Sequence, residues 1–266
     1  MDLQLSGRVA VVVGAARGIG RAIAETFVEE GAHVVLLDRD AELTKVAREI
    51  GSSRATPLLV DVVDYQAVRR TADSVVAALG RVDHVVFAVG IGSGKYGFPF
   101  WNLEPSDWGR VLEVNVVGAV NVAHAFAPIL VAAHSGTMLF LASVAGQIGS
   151  QTDPPYSASK AALLNFMQCA ARDLAPYGVR VNALCPGMVQ TMLNHSVWEA
   201  WHRQQPSEKR QSYEEWAAEK IRRVVPLGRW QEPRDIAAMA VFLASERGRN
   251  ITGQTINVDG GFVMHW

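Results

Sequence analysis

The sequence predicts an α/β protein built on a doubly wound parallel sheet, with helices on both faces. Three observations predict it. Short runs such as RVAVVVG (8–14) and HVVLLD (33–38) are continuously apolar and rich in β-branched residues, as strands buried on both faces are. Longer amphipathic stretches separate these runs, so strand and helix alternate along the chain. The chain has 266 residues, 49% of them hydrophobic and 19% charged, enough for one large domain with a substantial core.

The elements follow in order. RVAVVVG (8–14) is the first strand, and GIGRAIAETFVEEG (18–31) is a helix closed by Gly31. HVVLLD (33–38) is a strand, with a helix near 40–50 behind it. ATPLLVD (55–61) is a third strand, followed by a helix near 64–79. HVVFAVG (84–90) is a fourth, a long helix spans about 106–133, and GTMLFLAS (136–143) is a fifth. A helix over about 156–175 leads to VRVNALCPG (179–187), a strand ending in a turn. A helix over 233–245 precedes the last strand, QTINVDG (254–260). There are no repeats, low-complexity tracts or linkers, so residues 1–266 read as one domain. Residues 190–225 break the rhythm. They carry Trp198, Trp201, Tyr213 and Trp216 among many charges and are too long for an ordinary connection. An insertion after the carboxyl end of a strand lies where open α/β sheets bind ligands, so a helical substrate lid is expected there. The alternative is a surface excursion with its own small aromatic core.

The net charge of -1 argues against a nucleic-acid surface or a polybasic membrane patch. The start, MDLQLSGRVAVVVG, lacks the layout of a secretory leader. No run of about 20 apolar residues suggests a membrane span; the most apolar segment, GAVNVAHAFAPILVAA, is interrupted by Asn121, His124 and Pro128. Cys169 and Cys185 have no metal-ligand spacing and read as inert, mostly buried thiols. A cytoplasmic protein with a small-molecule ligand, and no metal, is the expectation.

Two motifs carry chemistry. GAARGIG, with Gly14, Gly18 and Gly20, directly follows the first strand and opens the first helix. There, glycines let backbone approach a pyrophosphate, and the helix N-terminus offers free N–H groups and positive potential. Asp38 ends the second strand, 18 residues past Gly20. It is placed to accept bonds from ribose hydroxyls and to repel a 2′-phosphate, or simply to cap the next helix. The second motif is PPYSASKAALL (154–164), which sets Tyr156 four residues before Lys160. Such residues lie about 5–6 Å apart on a helix. Unit charges at ~5 Å and an effective dielectric of ~20 attract by roughly 3 kcal/mol, about two pKa units of phenol acidification. The spacing suits a tyrosinate base, or a tyrosine packed under a solvated stem.

Together, GAARGIG and YSASK resemble the short-chain dehydrogenase/reductase superfamily in its variant of about 250 residues, from GRVAVVVGAARGIG to GQTINVDGG. The resemblance implies a Rossmann fold, an NAD cofactor and a catalytic group of Asn115 (in NVVG), Ser143 (in SVAG), Tyr156 and Lys160. It places Asp61 and Val62 against the adenine, and Pro186 and Gly187 in the turn after the sixth strand. Val189 and Thr191 fall on the nicotinamide carboxamide and phosphates. Arg17 and Ile19 of the glycine turn and Gly90 after the fourth strand join the cofactor contacts. FAVG (87–90) stands where the family usually has NNAG, which puts bonds near the adenosine in doubt.

The implied reaction is hydride transfer between a secondary alcohol and NAD. Tyr156 is the base, with its pKa lowered by Lys160, which also binds the nicotinamide ribose. Ser143 orients the substrate oxygen, and Asn115 holds a water relaying protons from Lys160. Alternatives on the same fold are an NAD-using epimerase or dehydratase and a non-catalytic cofactor-binding protein. The long 190–225 segment resembles those of sugar, polyol and diol dehydrogenases. Gln147 is a candidate for a second substrate hydroxyl. His195, His202, Arg203, Lys209 and Arg210 make either a basic side for an anionic sugar or a solvated face balanced by Glu199, Glu208, Glu214 and Glu215. Arg17 and Arg39 are placed to pair with a 2′-phosphate, but Asp38 is expected to dominate and select NAD. Apolar outer sides on the helices at 106–133 and 156–175 predict packing of that pair against its copy across a two-fold axis; the resemblance implies a second interface, made by the last helix and strand, and hence a homotetramer with the C-terminal GGFVMHW near a neighbouring subunit.

Overall fold

Each apolar run forms a strand, and all of them pair in parallel. In this computed structural model, which describes residues 2–149 and 153–265, the strands are β1 (Val9–Val13), β2 (His33–Asp38), β3 (Ala55–Leu59), β4 (His84–Phe87), β5 (Gly136–Leu141), β6 (Val179–Pro186) and β7 (Thr255–Val258). Their order is β3-β2-β1-β4-β5-β6-β7. Val13, last on β1, lies between Leu37 of β2 and Phe87 of β4. There the chain's progress across the sheet reverses, opening a crevice at the carboxyl ends of β1 and β4.

The helices are α1 (Gly18–Glu29), α2 (Leu43–Gly51), α3 (Tyr65–Leu79), α4 (Ser106–Leu112), α5 (Gly118–Ala133), α6 (Pro154–Leu174), α7 (Met192–Arg203), α8 (Tyr213–Val224) and α9 (Pro233–Ala244). One core, including Val11, Val85, Phe87, Phe126, Leu130 and Leu163, lies between the sheet and the layer containing α3, α5 and α6. The other, including Val12, Ile23, Phe27, Leu36, Leu43 and Ile236, lies under α1, α2 and α9. With apolar packing on both sides, period-2 alternation has no place in the strands. Local chemistry sets several helix ends. Asp64 caps α3 by accepting from Ala67 N at 3.0 Å, and Gly80 ends it in the left-handed region at φ 74°. Ser212 and Glu215 form a reciprocal capping box on α8.

Three expectations are corrected. The helix expected over 106–133 carries a π turn at Glu113–Val117, where the chain slips to wider bonding and sets Asn115 apart from the regular face. As one element, Ser106–Ala133 is long and apolar enough to cross a membrane by length and composition alone. The polar interruptions had argued against such a segment, yet they do not break the helix. Val122, Phe126 and Leu130 bury its inner side in the core under the sheet. Cys169 is exposed on α6, whereas Cys185 is buried at the end of β6. Residues 190–225 form α7, a short 3-10 turn at Ser207–Lys209 and α8. Tyr213 stacks near Trp216 and Trp230, and Trp198 packs against Tyr213.

Candidate active site

The loops leaving the carboxyl ends of the strands line a cleft of about 520 Å³. Its floor is the turn from β1 into α1. Gly14 has φ 87°, and a Cβ on Gly20 would fall 2.1 Å from the Gly14 carbonyl oxygen, so neither position tolerates a side chain. Among the described residues no side chain caps α1, and its first turn holds no acid, which leaves its leading N–H groups and positive end turned to the cleft. At the end of β2, Asp38 accepts bonds from Ala16 N (3.0 Å) and Asp40 N (3.1 Å), which hold the carboxylate at the rim. Arg17 pairs with Asp40 at 3.1 Å, and Arg39 lies 3.6 Å from Asp61. Every expected cofactor contact lines this one cleft, from Gly14, Arg17, Gly18, Ile19 and Gly20 through Asp38, Asp61, Val62 and Gly90 to Pro186, Gly187, Val189 and Thr191.

Tyr156 and Lys160 point into the same cleft from the first turns of α6. Ser143, two residues past β5, accepts from Ala145 N at 3.1 Å and holds the Tyr156 phenol's pKa down against burial. Lys160 donates to the Leu141 carbonyl at 2.7 Å, and its ammonium is 5.6 Å from the centre of the Tyr156 ring. A Cβ on Gly90 would come within 3.1 Å of Lys160 Nζ, so glycine there makes room for the lysine. The expected acidification of the phenol is reversed in the protein alone. Burial pushes Tyr156 up to about 12, and Asp153 adds to the rise while the Ser143 bond opposes it. Burial also pushes Lys160 down to about 8.

Asn115 is fully buried, and its side chain is engaged within the protein. Its carbonyl accepts from Ile91 N, and its amide donates to Ile91 O and Ser159 Oγ, each at 2.9 Å. It therefore clamps the loop after β4 to α6, a structural task beyond the expected water relay. The amide of Gln147 exchanges bonds with Asn257 at 2.7 and 3.0 Å and meets His265 at 3.0 Å, and Gln147 is not among the cleft residues. The proposed second substrate contact is thus already occupied by the C-terminal segment, through a pairing 110 residues apart in sequence. On α7, His195 and Arg203 pair with Glu199, and in the connection to α8 Arg210 donates to Gln205 O. None of the five basic residues expected on this segment lines the cleft.

Two buried residues were missed. Asp153 caps α6 by accepting from Tyr156 N at 2.8 Å, while its other oxygen accepts from Ser93 N (2.8 Å) and Ser93 Oγ (3.0 Å). An acid followed by two prolines is a helix-start signal that was legible in DPPY. Ser159 bonds the Tyr156 carbonyl at 2.7 Å, and no sequence signal marks it. Met192, Asn194, Val197, Trp216 and Lys220 bring α7 and α8 to the cleft, and Phe262 brings the C-terminal segment.

Comparisons with known proteins agree with this geometry. Residues 14–263 match a family model described as enoyl-(acyl carrier protein) reductase. An NAD-dependent glycerol dehydrogenase from Listeria innocua is 30% identical over 99% of this chain and 96% of its own length. A galactitol 2-dehydrogenase from Agrobacterium fabrum is 34% identical over 97% of this chain and 98% of its own. The structure superposes on L-sorbose reductase from Gluconobacter frateurii, solved with NADPH and L-sorbose, with a TM-score of 0.89, 29% identity and full coverage of both chains. With a seven-stranded parallel sheet, a glycine turn against an uncapped helix and a serine, tyrosine and lysine gathered at the reversal point, the chain belongs to the short-chain dehydrogenase/reductase superfamily.

Proposed function

We propose that the protein is an NAD-dependent dehydrogenase of secondary alcohols in sugars, polyols or diols. The observation that carries this reading is the convergence of Ser143, Tyr156 and Lys160 beside a glycine turn packed so closely on its own backbone that no Cβ fits at Gly14 or Gly20. The cradle fits a dinucleotide, with the α1 N-terminus for the pyrophosphate and Asp38 for the adenosine ribose. When bound, the cofactor supplies the hydride acceptor and a positively charged ring.

The protein's own groups handle the proton. Ser143 donates to or accepts from the substrate oxygen and sets it beside the phenol. Tyr156 as tyrosinate takes the hydroxyl proton while the same carbon gives up its hydride, leaving a ketone. Lys160 holds positive charge near the phenolate and the ribose. With Tyr156 at about 12 in the protein alone, activation rests on the positive charge that arrives with the oxidised cofactor. Preference for NAD is supported by Asp38 at the ribose position, and by Arg17 and Arg39, which face carboxylates of the protein rather than standing free for a 2′-phosphate. A fourfold assembly is part of the proposal. Formation of reduced cofactor, measured with a panel of sugars, polyols and diols and with NAD and NADP in turn, tests it. The expected result is turnover with kcat/KM higher for NAD; equal or better use of NADP overturns the cofactor assignment, and no turnover across the panel overturns the reading.

A further inference from the structure

Five cationic side chains line the cleft, Arg17, Arg39, Lys95, Lys160 and Lys220. Four have partners in the protein. Arg17 pairs with Asp40, Arg39 faces Asp61, Lys95 pairs with Asp107 at 2.8 Å, and Lys160 donates to Leu141 O. Among the described residues, Lys220 has neither an ion pair nor a hydrogen-bond acceptor. Its neighbour Glu219 is turned away to Gln211. The carboxylates of the cleft are engaged elsewhere as well, Asp38 on backbone N–H groups, Asp61 beside Arg39 and Arg110, and Asp153 on the start of α6 and Ser93.

Lys220 is also held in position. Its ammonium lies 4.3 Å from the centre of the Trp216 ring, one turn earlier on α8, and Trp216 is itself buried. An indole face steadies a cation but does not neutralise it. The residue sits where α7 and α8 cover the cleft, on a different element from the arginines beside Asp38. Burial pushes its pKa down to about 8, so it remains mostly protonated at neutral pH while lacking its share of water. A partly buried cation without a counter-ion among the described residues of a ligand cleft lacks an anion that the ligand is placed to bring.

We propose that Lys220 binds an anionic group, a carboxylate or sulfonate, at one end of a polyhydroxylated substrate, so that the enzyme prefers sugar acids or sulfonated sugars to neutral polyols. This rests on the dehydrogenase reading and narrows its substrate class. A hydrogen-bonded ion pair in a partly dry site discriminates by at least about tenfold.

The test pairs five- and six-carbon polyols with their aldonic acids, sorbitol with gluconate among them, and glucose with its 6-sulfonated derivative. The two sets tell carboxylate from sulfonate. The kcat/KM ratio of anion to neutral partner is measured for the wild type, Lys220→Met and Lys220→Arg. Titration calorimetry of each enzyme–NAD complex with the same anions reads binding without turnover. The expected wild-type ratio for the accepted anion is at least about tenfold; it collapses in Lys220→Met, mainly through KM, and is kept in Lys220→Arg. A ratio near one in an active wild type overturns the inference and leaves the dehydrogenase reading intact. Anion binding that depends on Lys220 without turnover of any alcohol keeps the anion site and sinks the dehydrogenase reading. Weaker NAD binding by Lys220→Met, with the ratio unchanged, overturns the inference by placing Lys220 on the dinucleotide. Absence of both turnover and anion binding overturns both.

Discussion

Tyr156 and Lys160 are each buried against their own charge, and that conflict yields two predictions. Tyr156→Phe keeps the packed ring and loses the proton acceptor. Its kcat should fall by about 10²–10⁴-fold while NAD affinity, read by titration, stays within a few fold. Lys160→Met should abolish turnover yet stabilise the cofactor-free protein. The lysine's folded pKa, about 8, lies below its unfolded value of 10.5. The folded state therefore holds fewer protons between those values, and the cost of burying the ammonium is fully present below pH 8. It fades as pH rises toward 10.5. The gain from methionine should be greatest at pH 7, up to ~3 kcal/mol by linkage, and nearly gone by pH 10.5. Thermal melts across that range check it, and a lower melting temperature for the variant at pH 7 would show that the Leu141 bond outweighs the burial cost.

At the level of elements, the start of α6 has most influence on the site. Asp153 caps the helix whose first turn carries Tyr156, and it ties that turn to Ser93 in the loop after β4. Asp153→Ala removes acceptors from three buried or partly buried donors. The expected loss is about 1–3 kcal/mol in a urea titration, with a fall of about tenfold in kcat because the phenol loses its fixed mounting. Unchanged kcat in a destabilised variant would separate the cap from the chemistry. Six strands were expected to run past their observed carboxyl ends, to Gly14, Asp61, Gly90, Ser143, Gly187 and Gly260. All of these but Gly260 line the cleft.

At the scale of the whole molecule, Val117 and Val120 stand exposed on the outer side of the long helical segment, and Ala161 and Ala162 do so on α6. An outer surface this apolar favours association across a two-fold axis. Light scattering should give about four times the 28.8 kDa chain mass, and Val120→Lys should shift the mass downward. A wild-type mass of one chain would refute the assembly. In the GGFVMHW segment, Phe262 lines this chain's own cleft and His265 meets Gln147, while Trp266 lies outside the described residues.

The sequence by itself determined the sheet, the glycine turn, the position of Asp38 and the tyrosine–lysine pair, because these depend on short-range periodicity, backbone freedom at glycine and helical spacing. The helical character of residues 190–225 was equally legible from their length and aromatic content. Only the tertiary structure decided which polar and charged side chains remain free. Gln147 found Asn257, the basic residues of α7 found Glu199 and local carbonyls, and Asn115 found Ile91 and Ser159. It also set the direction of the Tyr156 shift and left Lys220, among the described residues, unpaired over Trp216. Burial and long-range pairing control these outcomes, and both arise from contacts between segments far apart in the chain, which local pattern does not encode.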